Sequence, residues 1–582
     1  MLRVITIVFA VIGVLAVLIV SLGIYTATYF AERPAPEPKN VILSLDFDKP
    51  ISETSSVLPT GFSLNEKRDT LLSILEAIDH AKTDPHVKGI VAHFGTTQPK
   101  LAEAEEIRDA IKSFRGSKKF TYAFGTTYGD FGQGNRSYYL ASAFENIWLQ
   151  PVGAVSLTGL AMQSPFGKAA LDSIGVKADF MQREEYKSFM DMATRDDFAP
   201  PVRQNLQALL DDLSVQIASG IAESRGFDVA HVNDLMARGP FTDEEAQTEK
   251  LVTKLGYADE LDDEIKKVAG DDVKSLELDE YMEFVGRDNP TPKAKVAVIY
   301  GTGMIMDHDD NAPSITGNIV MGADTIANAF GDAADNKDIK AILFRVDSPG
   351  GTPEASETIR RAMMHAQKAG KPVLVSMGDT AASGGYWISM NADRIIAEPC
   401  TITGSIGVLA GKFTVGGLLK KLGISMGTLQ TAENAGMNSP SEEFTPKQRE
   451  RMNALLDASY KTFITDVSQA RKIPIEKMPD IAKGRVWTGA QASKIGLVDE
   501  LGGFATTLAA IRKQLKLAET DQVALEFYPA PESPFERVMK LMKTFGAEEA
   551  VIRPFMATLP FLKSLIASPH MAESPISAAN IR

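Results

Sequence analysis

Read from its amino terminus, the chain alternates between apolar and mixed segments in a way that separates an anchor from a folded body. Residues 4–25, VITIVFAVIGVLAVLIVSLGIY, carry no charge. A helix rising about 1.5 Å per residue over that length crosses a hydrocarbon layer about 30 Å thick. The run is longer than the apolar stretch of a cleaved leader, and no small-residue cleavage site ends it. Residues 4–28 therefore read as an N-terminal transmembrane helix, with 1–3 as its cytoplasmic end. Arg3 favours that orientation and Arg33, on the far side, opposes it. Pro34, Pro36 and Pro38 make 29–40 a stiff, extended spacer.

Beyond residue 40 the pattern changes. Short β-branched runs at 41–45, 296–300, 341–346 and 372–376 have the unbroken apolar character of parallel strands covered on both faces. Between them lie amphipathic segments such as 355–368, flanked by glycine. Strands alternating with helices predict an α/β fold with crossover connections.

The same order of elements occurs twice. The segment from VKGIVAHF at Val87 to Gly159 corresponds to the one from IKAILFRV at Ile339 to Gly407. Residues 135–190 align without a gap onto 383–438, pairing Tyr138 with Tyr386, Ile147 with Ile395, Pro151 with Pro399, Gly159 with Gly407, Gly175 with Gly423 and Gln182 with Gln430. The layout is an N-terminal repeat at 41–286, a linker at 287–294 and a C-terminal repeat at 295–530. A tail at 531–582, rich in Met, Phe and Pro, fits neither repeat.

Composition narrows the function. With 582 residues, 44% hydrophobic and 23% charged, the chain is an ordinary globular body of more than one domain. A net charge of -14 without clustered Lys and Arg argues against nucleic acid as a partner. Cys400 is the one cysteine, so there is no intrachain disulfide and no CxxC metal site. No metal or cofactor is implied.

Two segments of the second repeat carry chemistry. DSPGG, Asp347 to Gly351, sits between a buried strand and a helix, where glycine N–H groups are free to face a ligand and form an oxyanion hole. In GDTAASGGY, Ser383 is bracketed by small residues ahead of a helical stretch. It is a candidate nucleophile, with Gly384 N–H a second oxyanion donor beside Gly350 or Gly351. The first repeat has Gln98 and Pro99 in place of the two loop glycines and Asn135 in place of the serine. Proline has no N–H to donate.

A serine hydroxyl needs a base, and the seven histidines lack a suitable context. A buried lysine can serve if desolvation lowers its pKa. Lys187, in REEYKSFMDMATRDDFAP, aligns with Ala435. One repeat thus keeps the nucleophile and the hole while the other keeps the base, as if an ancestral unit holding both had been duplicated and each copy pruned.

DSPGG, the serine of AASGGYWIS, the lysine of YKS and the duplicated layout behind an N-terminal anchor resemble the long, membrane-bound signal peptide peptidase A (SppA) proteases. The resemblance implies two tandem ClpP/crotonase-like α/β repeats, with Ser383 and Lys187 as a catalytic dyad. It also implies a homotetramer in the bacterial inner membrane with its body on the periplasmic side, and remnant signal peptides as substrates. Two other readings stand beside it: a crotonase-like acyl-CoA enzyme, which needs neither anchor nor serine, and a non-catalytic membrane scaffold.

Overall fold

The computed structural model describes residues 39–54, 69–130, 132–285, 292–308 and 320–530. The apolar run at 4–28, the spacer up to residue 38, residues 287–291 of the linker and the tail at 531–582 lie outside them. Among the described residues no helix is long and apolar enough to cross a membrane.

The first repeat runs β1 (Val41–Asp46), α1 (Leu71–Thr83), β2 (Val87–Phe94), α2 (Leu101–Arg115), β3 (Phe120–Gly125), α3 (Asn135–Ala141) and β4 (Asn146–Leu149). It continues through α4 (Lys168–Ile174), β5 (Lys177–Arg183), α5 (Pro200–Arg225), β6 (Lys254–Leu255), α6 (Ala258–Ala269) and β7 (Lys274–Glu277). Its sheet has the order β6, β4, β3, β2, β1, β7 and is parallel throughout. Apolar side chains cover both faces, as the unbroken runs predict: Leu43 and Ile90 point into one cluster, Ile42 and Val91 into another with Leu261 and Ile265 of α6.

The second repeat repeats the plan. It runs β8 (Ala294–Thr302), α7 (Ala323–Asp335), β9 (Ile339–Ser348), α8 (Pro353–Lys368), β10 (Val373–Ala382), α9 (Gly384–Trp387), β11 (Arg394–Ala397), β12 (Ile402–Gly404) and β13 (Val408–Thr414). There follow α10 (Gly416–Lys421), α11 (Pro446–Arg471), β14 (Val486–Thr488), β15 (Glu500–Leu501), α12 (Phe504–Gln514) and β16 (Val523–Tyr528). The strands β15, β11, β10, β9, β8 and β16 neighbour one another in the order of their counterparts in the first sheet. Helix α8 begins where local chemistry says it should: the Thr352 hydroxyl accepts the Ala355 N–H, Pro353 fills the first turn, and His365 and Lys368 lie in the last.

Two local expectations change. The strand expected at 372–376 runs on to Ala382, because residues 378–380 bulge out of the β9–β10 ladder and pairing resumes at Ser348 with Ala381. The helix expected after Ser383 stops at Trp387, since Asp393 exchanges backbone and side-chain hydrogen bonds with Val373 and turns the chain back into β11.

The repeats are interlocked. Leu43, Ile90 and Ile107 of the first share a single core cluster with Val298, Leu343, Leu374 and Phe504 of the second. Strand β5 pairs antiparallel with β13 of the other repeat, Arg183 opposite Val408 and Lys177 opposite Thr414. Arg345 on β9, fully buried, meets Glu53 at 2.9 Å and Glu106 of α2 at 2.7 Å.

Candidate active site

Strand β10 delivers Ser383 to the amino end of α9 in a conformation unusual for a residue with a side chain, φ 56° and ψ -116°. Such a backbone costs of order 1–3 kcal/mol and persists only where surrounding structure holds it. Ser383 N–H donates to Gly404 O at 2.9 Å, Trp387 N–H donates back to Ser383 O at 2.9 Å, and the buried Tyr386 hydroxyl donates to Leu497 O at 3.0 Å. Tyr138 makes the equivalent bond to Leu251 O in the first repeat, at 2.8 Å. Both repeats thus anchor this helix through the same tyrosine, but the left-handed backbone belongs to Ser383 and not to Asn135, which lies within α3.

The loop 347–351 closes over the same point. Gly350 has φ +112°, and a Cβ there would fall 2.8 Å from both Ser383 Cβ and Gly384 N. Gly350 N–H donates to Ser348 Oγ at 3.1 Å. Gly351 and Gly384 lie side by side next to Ser383: a Cβ on Gly384 would sit 2.9 Å from Gly351 N.

Lys187 arrives from the first repeat. The β5–β13 ladder carries the chain to Arg183, which is tied to α11 through Asp457 at 2.6 Å and Asn453 Oδ1 at 3.0 Å. Tyr186 N–H donates to Lys483 O at 3.1 Å, and the Arg485 guanidinium lies over the Tyr186 ring 4.2 Å from its centroid. At Gly484, φ +85°, a Cβ would stand 2.5 Å from Lys187 N, so only glycine lets the two segments approach this closely. Lys187 Nζ ends 2.9 Å from Ser383 Oγ and 3.0 Å from both Ser405 O and Ser405 Oγ. With 7% of its surface exposed, the residue is out of bulk water. Burial alone pulls its pKa from 10.5 down to about 7, so a large fraction is neutral amine near neutral pH.

The Ser383 hydroxyl and the Lys187 amine thus meet within one chain, across the junction of the two repeats. The corresponding place in the first repeat is closed. Asn135 Oδ1 accepts the N–H groups of Thr158 and Gly159 at 2.9 and 3.0 Å, and Gln98 Oε1 accepts Ser137 N–H at 3.2 Å. The residue that sequence reasoning missed is Ser405, which holds the amine through two of its own atoms. Its signal was available: Ser405 aligns with Leu157, a fully buried core residue of the repeat that has no nucleophile.

Fold and site together define a serine peptidase built from a duplicated α/β unit. The profile of peptidase family S49 matches residues 126–272 and 365–518, one stretch in each repeat and together more than half of the chain. Protease 4 of Salmonella typhi is 34% identical over 490 residues, covering 82% of this chain and 76% of that protein. The chloroplastic serine protease SPPA of Arabidopsis thaliana is 28% identical over 463 residues, covering 78% and 67%. A putative signal peptide peptidase SppA of Enterococcus faecium is 33% identical over 193 residues, covering 33% of this chain and 56% of that one. The chain belongs to peptidase family S49, as a long SppA-type serine protease with a duplicated domain.

Proposed function

We propose that Ser383 is the nucleophile and Lys187 the general base of a peptidase that degrades remnant signal peptides at the membrane. The observation that carries the dyad is the 2.9 Å approach of a buried, carboxylate-free amine to the serine hydroxyl. Neutral Lys187 takes the hydroxyl proton as Oγ bonds to the scissile carbonyl carbon, and the N–H groups of Gly384 and Gly351 receive the oxyanion. Gly350, whose N–H is engaged by Ser348, shapes the loop instead. The ammonium then protonates the leaving nitrogen as the C–N bond breaks. Water, deprotonated by the regenerated amine, attacks the ester carbonyl carbon, and the resulting ammonium protonates Oγ as the C–Oγ bond breaks. Neither the acyl-CoA nor the scaffold reading needs an amine at this distance.

The pH dependence tests this. Only the neutral amine is competent, so kcat/KM falls to about a tenth of its plateau at pH 6 and is flat above about pH 8. Labelling of Ser383 by a fluorophosphonate follows the same limb. A labelling rate independent of pH between 5.5 and 8.5, or label on another residue, would falsify the dyad.

Signal peptides as substrates are supported by the SppA name carried by relatives, and by the apolar run at 4–25, which anchors the body at the membrane as a single span. With residues 1–3 inside, the body lies on the extracytoplasmic side of the bacterial inner membrane.

Assembly into a homotetramer is supported by two segments that lack the pairing their counterparts in the other repeat make. Residues 160–166 align with β13 and 425–431 with β5, the two strands that pair inside the chain. Neither segment is paired in a sheet among the described residues, and Leu422, Met426 and Leu429 beside or within the second are 66%, 61% and 101% exposed. Pairing 425–431 of one copy with 160–166 of the next repeats the internal contact head to tail, the heterologous kind of contact from which rings are built. Sedimentation of the detergent-solubilised chain is expected to give a tetramer that Leu429→Asp dissociates. A monomeric parent protein would remove this reading.

A further inference from the structure

Lys187 is not the only lysine that the first repeat extends toward the second. Lys100, the residue before α2, places Nζ 2.7 Å from Asp347 Oδ2. Asp347 is the first residue of DSPGG, opposite the irregular stretch of strand β10, and its other carboxylate oxygen accepts Thr380 N–H at 3.0 Å. Thr380 belongs to the bulge at which β9 and β10 fall out of register: Val346 pairs with Met377, but the next pair is Ser348 with Ala381. The Asp347 side chain therefore takes over a backbone donor that the ladder has released. Just beyond their ends, at Ser348 and Ala382, the same two strands lead into Gly351 and Ser383. The offset between the strands sets where Ser383 Oγ stands relative to the oxyanion donors.

We propose that Lys100 is a positioning residue for the reaction: paired with Asp347, it holds the offset between β9 and β10 that presents Ser383 to Gly351 N–H. The second contact of α2 supports this. Ala102 N–H, in its first turn, donates to Asp379 Oδ1 at 3.3 Å, so the amino end of the helix meets one carboxylate on each strand, Asp347 on β9 and Asp379 on β10. Asp347 is 11% exposed at its side chain and cannot lean on water if its cation leaves. Glu103 Oε1, 3.4 Å from Lys100 Nζ, and Glu103 Oε2, accepting Lys100 N–H at 3.0 Å, fix the lysine on its own helix. Nothing in the sequence pointed to Lys100: it aligns with Thr352, which caps the equivalent helix α8 and reaches no other repeat. The inference rests on the Ser383–Lys187 dyad, because the geometry it protects is that of the serine.

The test compares Lys100→Met, which keeps the aliphatic stem, with Lys100→Arg in the full detergent-solubilised chain. In Lys100→Met, kcat and the rate of fluorophosphonate labelling at Ser383 fall together by about 10- to 100-fold, the size of effect a displacement of about 1 Å produces. KM moves by less than about threefold, and the thermal midpoint and the position of the Lys187 limb stay in place. Lys100→Arg recovers most of the loss, as a charge-pairing role requires. In an Asp347→Asn background, whose amide oxygen still accepts Thr380 N–H, Lys100→Met has little further effect. A labelling rate equal to the parent's in Lys100→Met overturns the positioning role alone. So does a loss that tracks a fall in thermal midpoint or that arginine leaves unrepaired. Absence of label at Ser383 in the parent overturns the dyad and this inference with it.

Discussion

Ser383→Ala lowers peptide hydrolysis by about 10⁵-fold, and Lys187→Ala, assayed near neutral pH, by about 10²- to 10⁴-fold. The two differ because the serine supplies the bond-forming atom, whereas the lysine supplies a proton acceptor that water can replace poorly. The double variant is expected to be no worse than Ser383→Ala, since a base with no hydroxyl to deprotonate has nothing left to contribute. Lys187→Arg does not rescue, because a guanidinium stays charged at any usable pH. Ser405→Ala is milder, leaving the amine with Ser405 O and Ser383 Oγ as partners. Peptide turnover, with circular dichroism to establish folding, checks the series. Turnover within tenfold of the parent in folded Ser383→Ala or Lys187→Ala would refute the assignment.

The second large effect is on stability. Arg345 is 0% exposed and stands between Glu53 and Glu106, both carboxylates of the first repeat, with the Phe504 ring 4.5 Å from its guanidinium carbon. Arg345→Met leaves two buried carboxylates without their cation. Removing one partner of a buried ion network costs about 3–5 kcal/mol, because the remaining charge cannot be solvated. Activity falls as well, since the network joins the repeats whose docking brings Lys187 to Ser383. Adding Glu53→Gln and Glu106→Gln to Arg345→Met restores much of the stability, an apolar or neutral core of similar volume being about as good as the ion network. Denaturant unfolding of the single and triple variants makes the comparison. A single variant within about 1 kcal/mol of the parent would show that the network does not hold the repeats together.

Most of the site was legible once the two halves of the chain were set against each other. Ser383, Gly384 and the DSPGG loop lie in short contiguous motifs, where small residues at a strand-to-helix turn have few other reasons to occur together. Lys187 came out of the pairing with Ala435, and Ser405 was available by the same comparison with Leu157. Lys100, Glu53, Glu106 and Arg345 were not legible. Each is an ordinary charged residue in its local sequence, and its meaning depends on a partner more than two hundred positions away on the other repeat.

The amino-acid sequence by itself determined the duplicated α/β plan, the alternation of strands and helices along the chain, and the candidate residues in each repeat. All of these rest on local periodicity and on a comparison that needs no third dimension. Only the tertiary structure decided that the serine and the lysine of one chain meet, at 2.9 Å, with Ser405 holding the amine. It also showed that Gly350 N–H donates to Ser348 Oγ. The physical reason is the same in each case. Burial, desolvation of an amine and the registration of two strands across a bulge are properties of segments packed together, and no single segment carries them.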